Sequence, residues 1–282
     1  KSEIAEFVSD TVCQFIFQKD DKVTNRLTAL QYALYDLEKV VFGQHVIKLC
    51  VEEDAELYVT WSQDVNDAEQ SWKFPFYRDS CCDIAKFTLK RGEYTLRTFF
   101  PYSFKYTALV CKSGRVRIDE YGVSTIGNTD AFQLKFLCEN KNLERIVQAS
   151  QNGFAHNAID IFTDCPSRES AGYLCDAFFS GRAERLLTGD NLVEKNFLEN
   201  YIMAESFPGY QKGMVPMCYP SNIKKHSFIP NWALWFIVEL KDYRLRTGDS
   251  ALVEKAKERV YGILRWFDDY VNPEGFLEKL NG

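Results

Sequence analysis

The residues that could do chemistry are concentrated in one short stretch, Thr163 to Ala177, which reads TDCPSRESAGYLCDA. It brings Asp164, Arg168, Glu169 and Asp176 together with Cys165 and Tyr173. Pro166 disfavours helix at the residue before it, which places Asp164 in a loop and puts Glu169 and Asp176 at or inside a helix start. Seven residues apart on a helix, those two carboxylates share a face. Three carboxylates around one arginine can bind a polyhydroxylated ligand. Their mutual repulsion can also keep one of them protonated near neutral pH, as a general acid requires. The same residues would serve equally well as a solvated helix start with a salt bridge, and composition alone does not separate the two.

No other catalytic pattern competes. The three histidines, His45, His156 and His226, are dispersed and read as structural or exposed. There is no Ser/His/Asp spacing, no Gly-rich phosphate loop and no Cys-x-x-Cys or Cys/His ligand spacing, so neither a metal nor a cofactor is expected. The nine cysteines are odd in number and scattered, which reads as free thiols and leans toward a reducing compartment; the Cys81-Cys82 pair is read as strand packing. With 40 acidic and 34 basic residues the net charge is −6, and no basic tract is present to bind nucleic acid. The longest apolar run, Trp232 to Val238, is far short of the roughly 20 residues of a membrane span, so a soluble protein of the cytoplasm or periplasm is expected.

The elements that must position the acidic stretch fall into two classes. Residues 1–137 carry period-two patterning: ELYVTWS at 56–62, AKFTLKRGEYTL at 85–96 with a turn at its centre, and KYTALVCK at 105–112. A Ser113-Gly114 turn then leads into RVRIDEYGV at 115–123. Short strands with glycine at the bends and no crossover helices predict an antiparallel β-sandwich; Thr28 to Val41 stays open. From residue 138 the period becomes helical, with Leu143, Ile146 and Val147, and later Leu252, Ala256, Val260, Ile263 and Phe267, at helical spacing. The domain boundary is therefore expected at 137/138.

The helical part repeats. Glu184-Arg-Leu-Leu-Thr-Gly-Asp190 precedes Leu-Val-Glu-Lys at 192–195, and Tyr243-Arg-Leu-Arg-Thr-Gly-Asp249 precedes Leu-Val-Glu-Lys at 252–255. Gly189 and Gly248, 59 residues apart, are each expected to end a helix in a left-handed conformation, with an Asp or Ser capping the next helix. The period is that of one helical hairpin, so an array of hairpins is predicted. Between them, Tyr201, Phe207, Tyr210 and Tyr219 lie among prolines and glycines, either as an aromatic rim for a sugar or as ordinary loop packing. Trp232 and Trp235 open a later helix, one expected toward the site and the other toward the core.

The string Asp164-Cys-Pro-Ser-Arg-Glu169, followed by Tyr173-Leu174 and Asp176, resembles the signature of bacterial α-L-rhamnosidases of glycoside hydrolase family 78. Ile229-Pro-Asn-Trp232 and Thr247-Gly-Asp249 resemble a second stretch of that family. The resemblance implies β-sandwich domains followed by an (α/α)6 barrel, of which the 144 residues 139–282 supply only the first hairpins. It further implies inverting hydrolysis of terminal α-L-rhamnosides. Glu169 would be the general acid, with a base carried on a later barrel helix outside this chain. Asp164, Arg168, Tyr173, Asp176 and Trp232 would then contact the sugar. Cys175 stands where Gly is usual, Ser170 where a basic residue is common and Asn231 where Asp is frequent, departures that bear on sugar specificity. The expected partner is a carbohydrate. Two other readings stay open: a non-catalytic carbohydrate-binding protein on the same fold, and a helical scaffold for protein partners.

Overall fold

The computed structural model describes residues 25–63, 83–221 and 229–280, together with the backbone of four two-residue strands at 17–18, 71–72, 77–78 and 81–82. Cys13 and His226 lie outside the described residues, as do the side chains of Cys81 and Cys82. The chain forms two compact units, Lys1–Ile126 and Gly127–Gly282.

The first unit is antiparallel β. Its main sheet contains β1 (Arg26–Thr28), β2 (Gln31–Ser62), β3 (Ile84–Leu89), β4 (Gly92–Arg97) and β5 (Tyr102–Thr125). β2 and β5 pair along nearly their whole length, bending where the register shifts, so that Tyr106–Cys111 is flanked by Gln31–Asp36 on one side and Leu57–Ser62 on the other. The open segment at Thr28 to Val41 is thus largely strand. The expected turn at 90–93 does not form a hairpin: β3 and β4 pair not with each other but, running in one direction, with Ala55–Thr60 and then Val46–Val51 of β2, and Ser113-Gly114 does not reverse the chain either. It is a kink inside β5, opposite Glu53 and Glu56. Gly114 has φ of 82°, and a Cβ there would lie 2.2 Å from the Asp54 carbonyl oxygen, so the glycine serves a bulge rather than a hairpin. Leu27, Ile47, Leu49, Leu57, Phe104 and Leu109 are among the residues that fill the core.

One polar group sits deep in that core. His45 is fully buried, stacked on Phe104 at 4.0 Å, with Nδ1 at 3.0 Å from the Tyr121 hydroxyl. Tyr121 donates its own proton to Thr107 Oγ1 at 2.8 Å, so the His45 bond requires an Nδ1–H. That leaves Nε2 as a buried lone pair without a partner. Protonation there would bury an unpaired cation, and desolvation lowers the His45 pKa to about 3.

The second unit is helical: α1 (Lys141–Asn157), α2 (Leu174–Thr188), α3 (Leu192–Met203), α4 (Pro230–Thr247) and α5 (Ser250–Asp268). The units divide between Ile126 and Gly127 rather than at 137/138. The intervening segment has no helical period, yet it is bonded to the helices. Asn128 donates its side-chain amide to the Ala158 carbonyl, and Gln151 on α1 donates to the carbonyls of Ala131 and Leu134. On α1 the periodic residues Leu143 and Ile146 are exposed, and the buried positions are Gln151 and Ala155. Of the expected stripe on α5, Leu252, Ala256, Ile263 and Phe267 are buried and Val260 is partly buried.

The repeat is visible as chemistry. Gly189 (φ 83°) and Gly248 (φ 76°) end α2 and α4 in the left-handed region. In both copies the threonine hydroxyl donates to the carbonyl four residues back and accepts the N–H of the following aspartate, at 3.2 Å in the first copy and 3.1 Å in the second. The copies differ at the next helix. Asp249 caps α5 directly, whereas Asn191 makes no capping bond at the start of α3. There the buried Glu184 reaches over from α2 and accepts the N–H groups of Val193 and Glu194.

A buried ion network locks α2, α3 and α4 together. Glu194 is fully buried and takes both arms of Arg246, at 2.6 and 3.0 Å, while Arg246 and Arg182 share Asp242. Gly181 makes room for it, since a Cβ there would stand 2.5 Å from the Glu194 carboxyl. Glu239, also fully buried, has no partner on either oxygen among the described residues, and burial pushes its pKa far up, so it is held neutral.

Two outcomes are expected. The His45 pKa is depressed on folding, so its contribution to stability is complete above the ordinary value of 6.5 and is lost as pH falls toward 3, at up to about 1.4 kcal/mol per pH unit. Hydrogen-exchange mass spectrometry should show protection of 46–61 weakening over this range while a His45→Leu variant loses that pH dependence. Arg246→Met should leave Glu194 buried without its countercharge, lowering the stability of the helical unit by about 3–5 kcal/mol in urea unfolding.

Candidate active site

The acidic stretch folds as a closed loop leading into α2. The N–H of Asp164 donates to the Ala171 carbonyl at 3.0 Å, and the N–H of Ala171 returns to Asp164 Oδ1 at 3.0 Å. Asp164 therefore closes the loop with one carboxylate oxygen. The Glu169 N–H donates to Cys165 Sγ at 3.4 Å, a bond that gives the motif cysteine a structural use. Ser170 then takes φ of 48°, a left-handed conformation that turns the chain outward after Glu169.

The helix begins only at Leu174, with Tyr173 as its N-cap. Glu169 is therefore in the loop and Asp176 is in the first turn of α2, and the two do not share a helical face as the seven-residue spacing predicts. Pro166, the left-handed Ser170 and the backbone pairing of Gly172 keep the chain non-helical up to the cap.

That pairing is the anchor of the site. Residues 172–174 form a short antiparallel bridge with 217–220: Tyr219 N–H to Gly172 O at 2.9 Å, Leu174 N–H to Met217 O at 3.1 Å, and Gly172 N–H to Pro220 O at 3.3 Å. The buried Tyr201 hydroxyl also donates to Gly172 O, at 3.1 Å. Only glycine fits here, because a Cβ would lie 2.7 Å from the Tyr219 carbonyl oxygen and 2.9 Å from the Phe197 ring.

Around this anchor the side chains converge. Tyr173 donates its hydroxyl to Glu169 Oε2 at 2.5 Å, and Arg168 pairs with Oε1. Tyr173, Trp232 and Ile229 pack on a small apolar cluster of Ala171, Met217 and Cys218. Trp232 lies in the first turn of α4, and its indole Nε1 is buried without a partner among the described residues. Trp235 points elsewhere, onto Phe178 of α2 at 4.9 Å between ring centroids. Two of the four aromatic residues read as a possible rim turn inward, while Tyr210 and Tyr219 stay half-buried. Tyr201, on α3 rather than in the loop, and Phe207 are buried, and both make ring contacts with Tyr219.

The pKa of Asp176 is pushed up, by partial desolvation first and then by the negative charges of Asp164 and Glu169. Asp176 remains open to solvent, so the push is modest. Tyr173 is also raised, by burial and by its bond to Glu169, as is Cys218, by burial first, with the charges of Asp164 and Glu169 adding to it. Asp176 thus feels the charges of Asp164 and Glu169. Ala171, Met217 and Cys218 carry no chemical signal in the sequence. Residues 217–220 are found only through pairing with a segment about 45 positions earlier in the chain.

Among the described residues no group of three or more His, Cys, Asp or Glu side chains is arranged to hold a metal, and no helix is long and apolar enough to cross a membrane. Cys50, Cys111, Cys138, Cys165, Cys175 and Cys218 are free, with only Cys111 and Cys218 buried.

Similar structures share the fold. A family 78 rhamnosidase of Bacillus sp. GL1 is 18% identical with a TM-score of 0.72, over 87% of this chain and 25% of that one. A rhamnosidase from Klebsiella oxytoca with rhamnose bound is 14% identical with a TM-score of 0.70, over 91% of this chain and 52% of that one. The Streptomyces avermitilis α-L-rhamnosidase complexed with L-rhamnose gives 15% and 0.57, over 89% and 25%. The chain therefore spans between a quarter and about half the length of these proteins. No curated protein sequence matches it. Residues 133–278 match the family described as the bacterial α-L-rhamnosidase 6 hairpin glycosidase domain, which takes in the whole acidic loop and all five helices, and the chain belongs to that family.

Proposed function

We propose that the protein acts as a glycoside hydrolase on terminal α-L-rhamnosides, with the loop at 164–176 as its sugar-binding and proton-donating site. What carries this reading is the position of three carboxyls, Asp164 and Glu169 in one anchored loop and Asp176 in the helical turn that follows and under the charge of the first two, inside the segment that matches the family. Arg168, Tyr173 and Trp232 stand beside them and complete the set of groups that would contact the sugar.

In this reading Glu169 is the general acid and protonates the leaving oxygen. A second carboxylate activates water on the opposite face, roughly 6.5–9.5 Å away, and the anomeric configuration is inverted. That base is assigned to a barrel helix outside residues 1–282, in keeping with the quarter to half of the related chains that this one spans. Arg168 and Tyr173 both donate to the Glu169 carboxyl. Arg168 is 43% exposed and adjacent in sequence, so a sugar entering the site can displace it and relieve Glu169 of that positive charge.

A second assignment, Asp176 as the donor, is favoured by the upward shift at Asp176. Leaving-group dependence separates the two. In the complete enzyme, Glu169→Gln should lower kcat by roughly 10²–10⁴ on an alkyl rhamnoside, whose leaving group needs a proton, and far less on a dinitrophenyl rhamnoside, whose leaving group does not. Asp176→Asn should impair both substrates alike, as a sugar contact does. The reverse pattern would transfer the acid role to Asp176, and near-parent activity of Glu169→Gln on the alkyl substrate would remove Glu169 from the mechanism.

A further inference from the structure

We propose that Tyr173 is a positioning residue for the proton donor: its phenol holds Oε2 of Glu169, so that Oε1 is the oxygen turned toward the glycosidic bond. The inference rests on the assignment of Glu169 as general acid, and adds to it the group that fixes the orientation of its carboxyl.

Glu169 needs such a group. It sits in a loop one residue before the left-handed Ser170, with no helix to restrict it, and a carboxyl on such a loop can rotate freely unless something outside the loop holds it. Two donors reach it. Arg168 comes from the same loop and its guanidinium is largely in water, where an ion pair is worth little and exchanges readily. Tyr173 comes from a different framework. Its backbone is the N-cap of α2, and the peptides on either side are bonded to Met217, Tyr219, Pro220 and Tyr201. Its ring is packed on Ala171, Met217 and Cys218, with Trp232 beside it. The donor to Oε2 is thus fixed by the fold, whereas the donor to Oε1 can leave when substrate arrives. Burial and the bond to Glu169 raise the phenol's own pKa, so it keeps its proton and serves only as a donor.

This arrangement has a signature that a merely structural tyrosine would lack. A donor to the carboxylate favours the ionised form of Glu169 and makes the acid stronger. Tyr173→Phe keeps the ring and its packing and removes only the hydroxyl. In the complete enzyme, on an alkyl rhamnoside, this variant should move the alkaline limb of the kcat/KM profile to higher pH by about half to one unit. Its kcat should fall ~10-fold or more, by more than any rise in KM from a weakened sugar contact, with the thermal unfolding midpoint retained. Glu169→Gln is run beside it. If Glu169→Gln is inactive while Tyr173→Phe leaves both the limb and kcat unmoved, or raises KM alone, the positioning role is overturned and the acid assignment survives. If Glu169→Gln keeps near-parent activity, the acid assignment fails and this proposal falls with it.

Discussion

The candidate site depends on one non-local contact, the short antiparallel bridge that clamps residues 172–174 to 217–220. Everything with chemical potential at this place is measured from it. It sets where α2 begins, and so where Asp176 stands. It makes Tyr173 an N-cap with extended backbone instead of a helical residue, and it brings Met217 and Cys218 under the Tyr173 and Trp232 rings. The clamp works because Gly172 has no side chain: the Tyr219 carbonyl and the Phe197 ring approach to distances that no Cβ would tolerate. Behind the clamp, Tyr201 spends its buried hydroxyl on the Gly172 carbonyl, tying the loop to α3. The rigidity of the helices reaches the candidate loop through this contact.

The helices are held in turn by groups that are costly if left unpaired. Glu194 is tolerable in the interior because Arg246 and Asn191 meet both its oxygens, and Gly181 leaves the space. Glu184 replaces a missing side-chain cap at α3. These polar contacts join α2, α3 and α4, which include the helices bearing Asp176 and Trp232. The β unit uses a different device in His45, a neutral imidazole with one nitrogen satisfied and the other sealed in apolar surroundings. Acid therefore works against the β unit through a group that takes no part in the proposed chemistry.

Much of this was legible in the sequence wherever a local pattern has a local cause. The change from period two to helical period separates strands from helices, and the two Thr-Gly-Asp copies announce helix ends whose hydrogen bonds agree to a tenth of an ångström. The acidic motif located the loop. What escaped was fixed by contacts distant in sequence. Nothing near Ser113-Gly114 shows that its partner residues lie on the opposite strand in a register that turns a hairpin signal into a bulge. Nothing in 163–177 shows that 217–220 will pair with it and delay the helix, and so the shared helical face of Glu169 and Asp176 was a misreading. The segment 127–137 has no period of its own, and only the side chains of Asn128 and Gln151 reveal which unit it joins.

The central claim is that a rhamnose unit is bound at this loop with Glu169 at its glycosidic oxygen. The most direct test is a crystal structure of the complete protein soaked with L-rhamnose. The expected result is sugar density within hydrogen-bond distance of Asp164, Glu169 and Asp176, flanked by Trp232, with Tyr173 still donating to Glu169. Rhamnose bound away from residues 164–176, in a protein that hydrolyses rhamnosides, would contradict it.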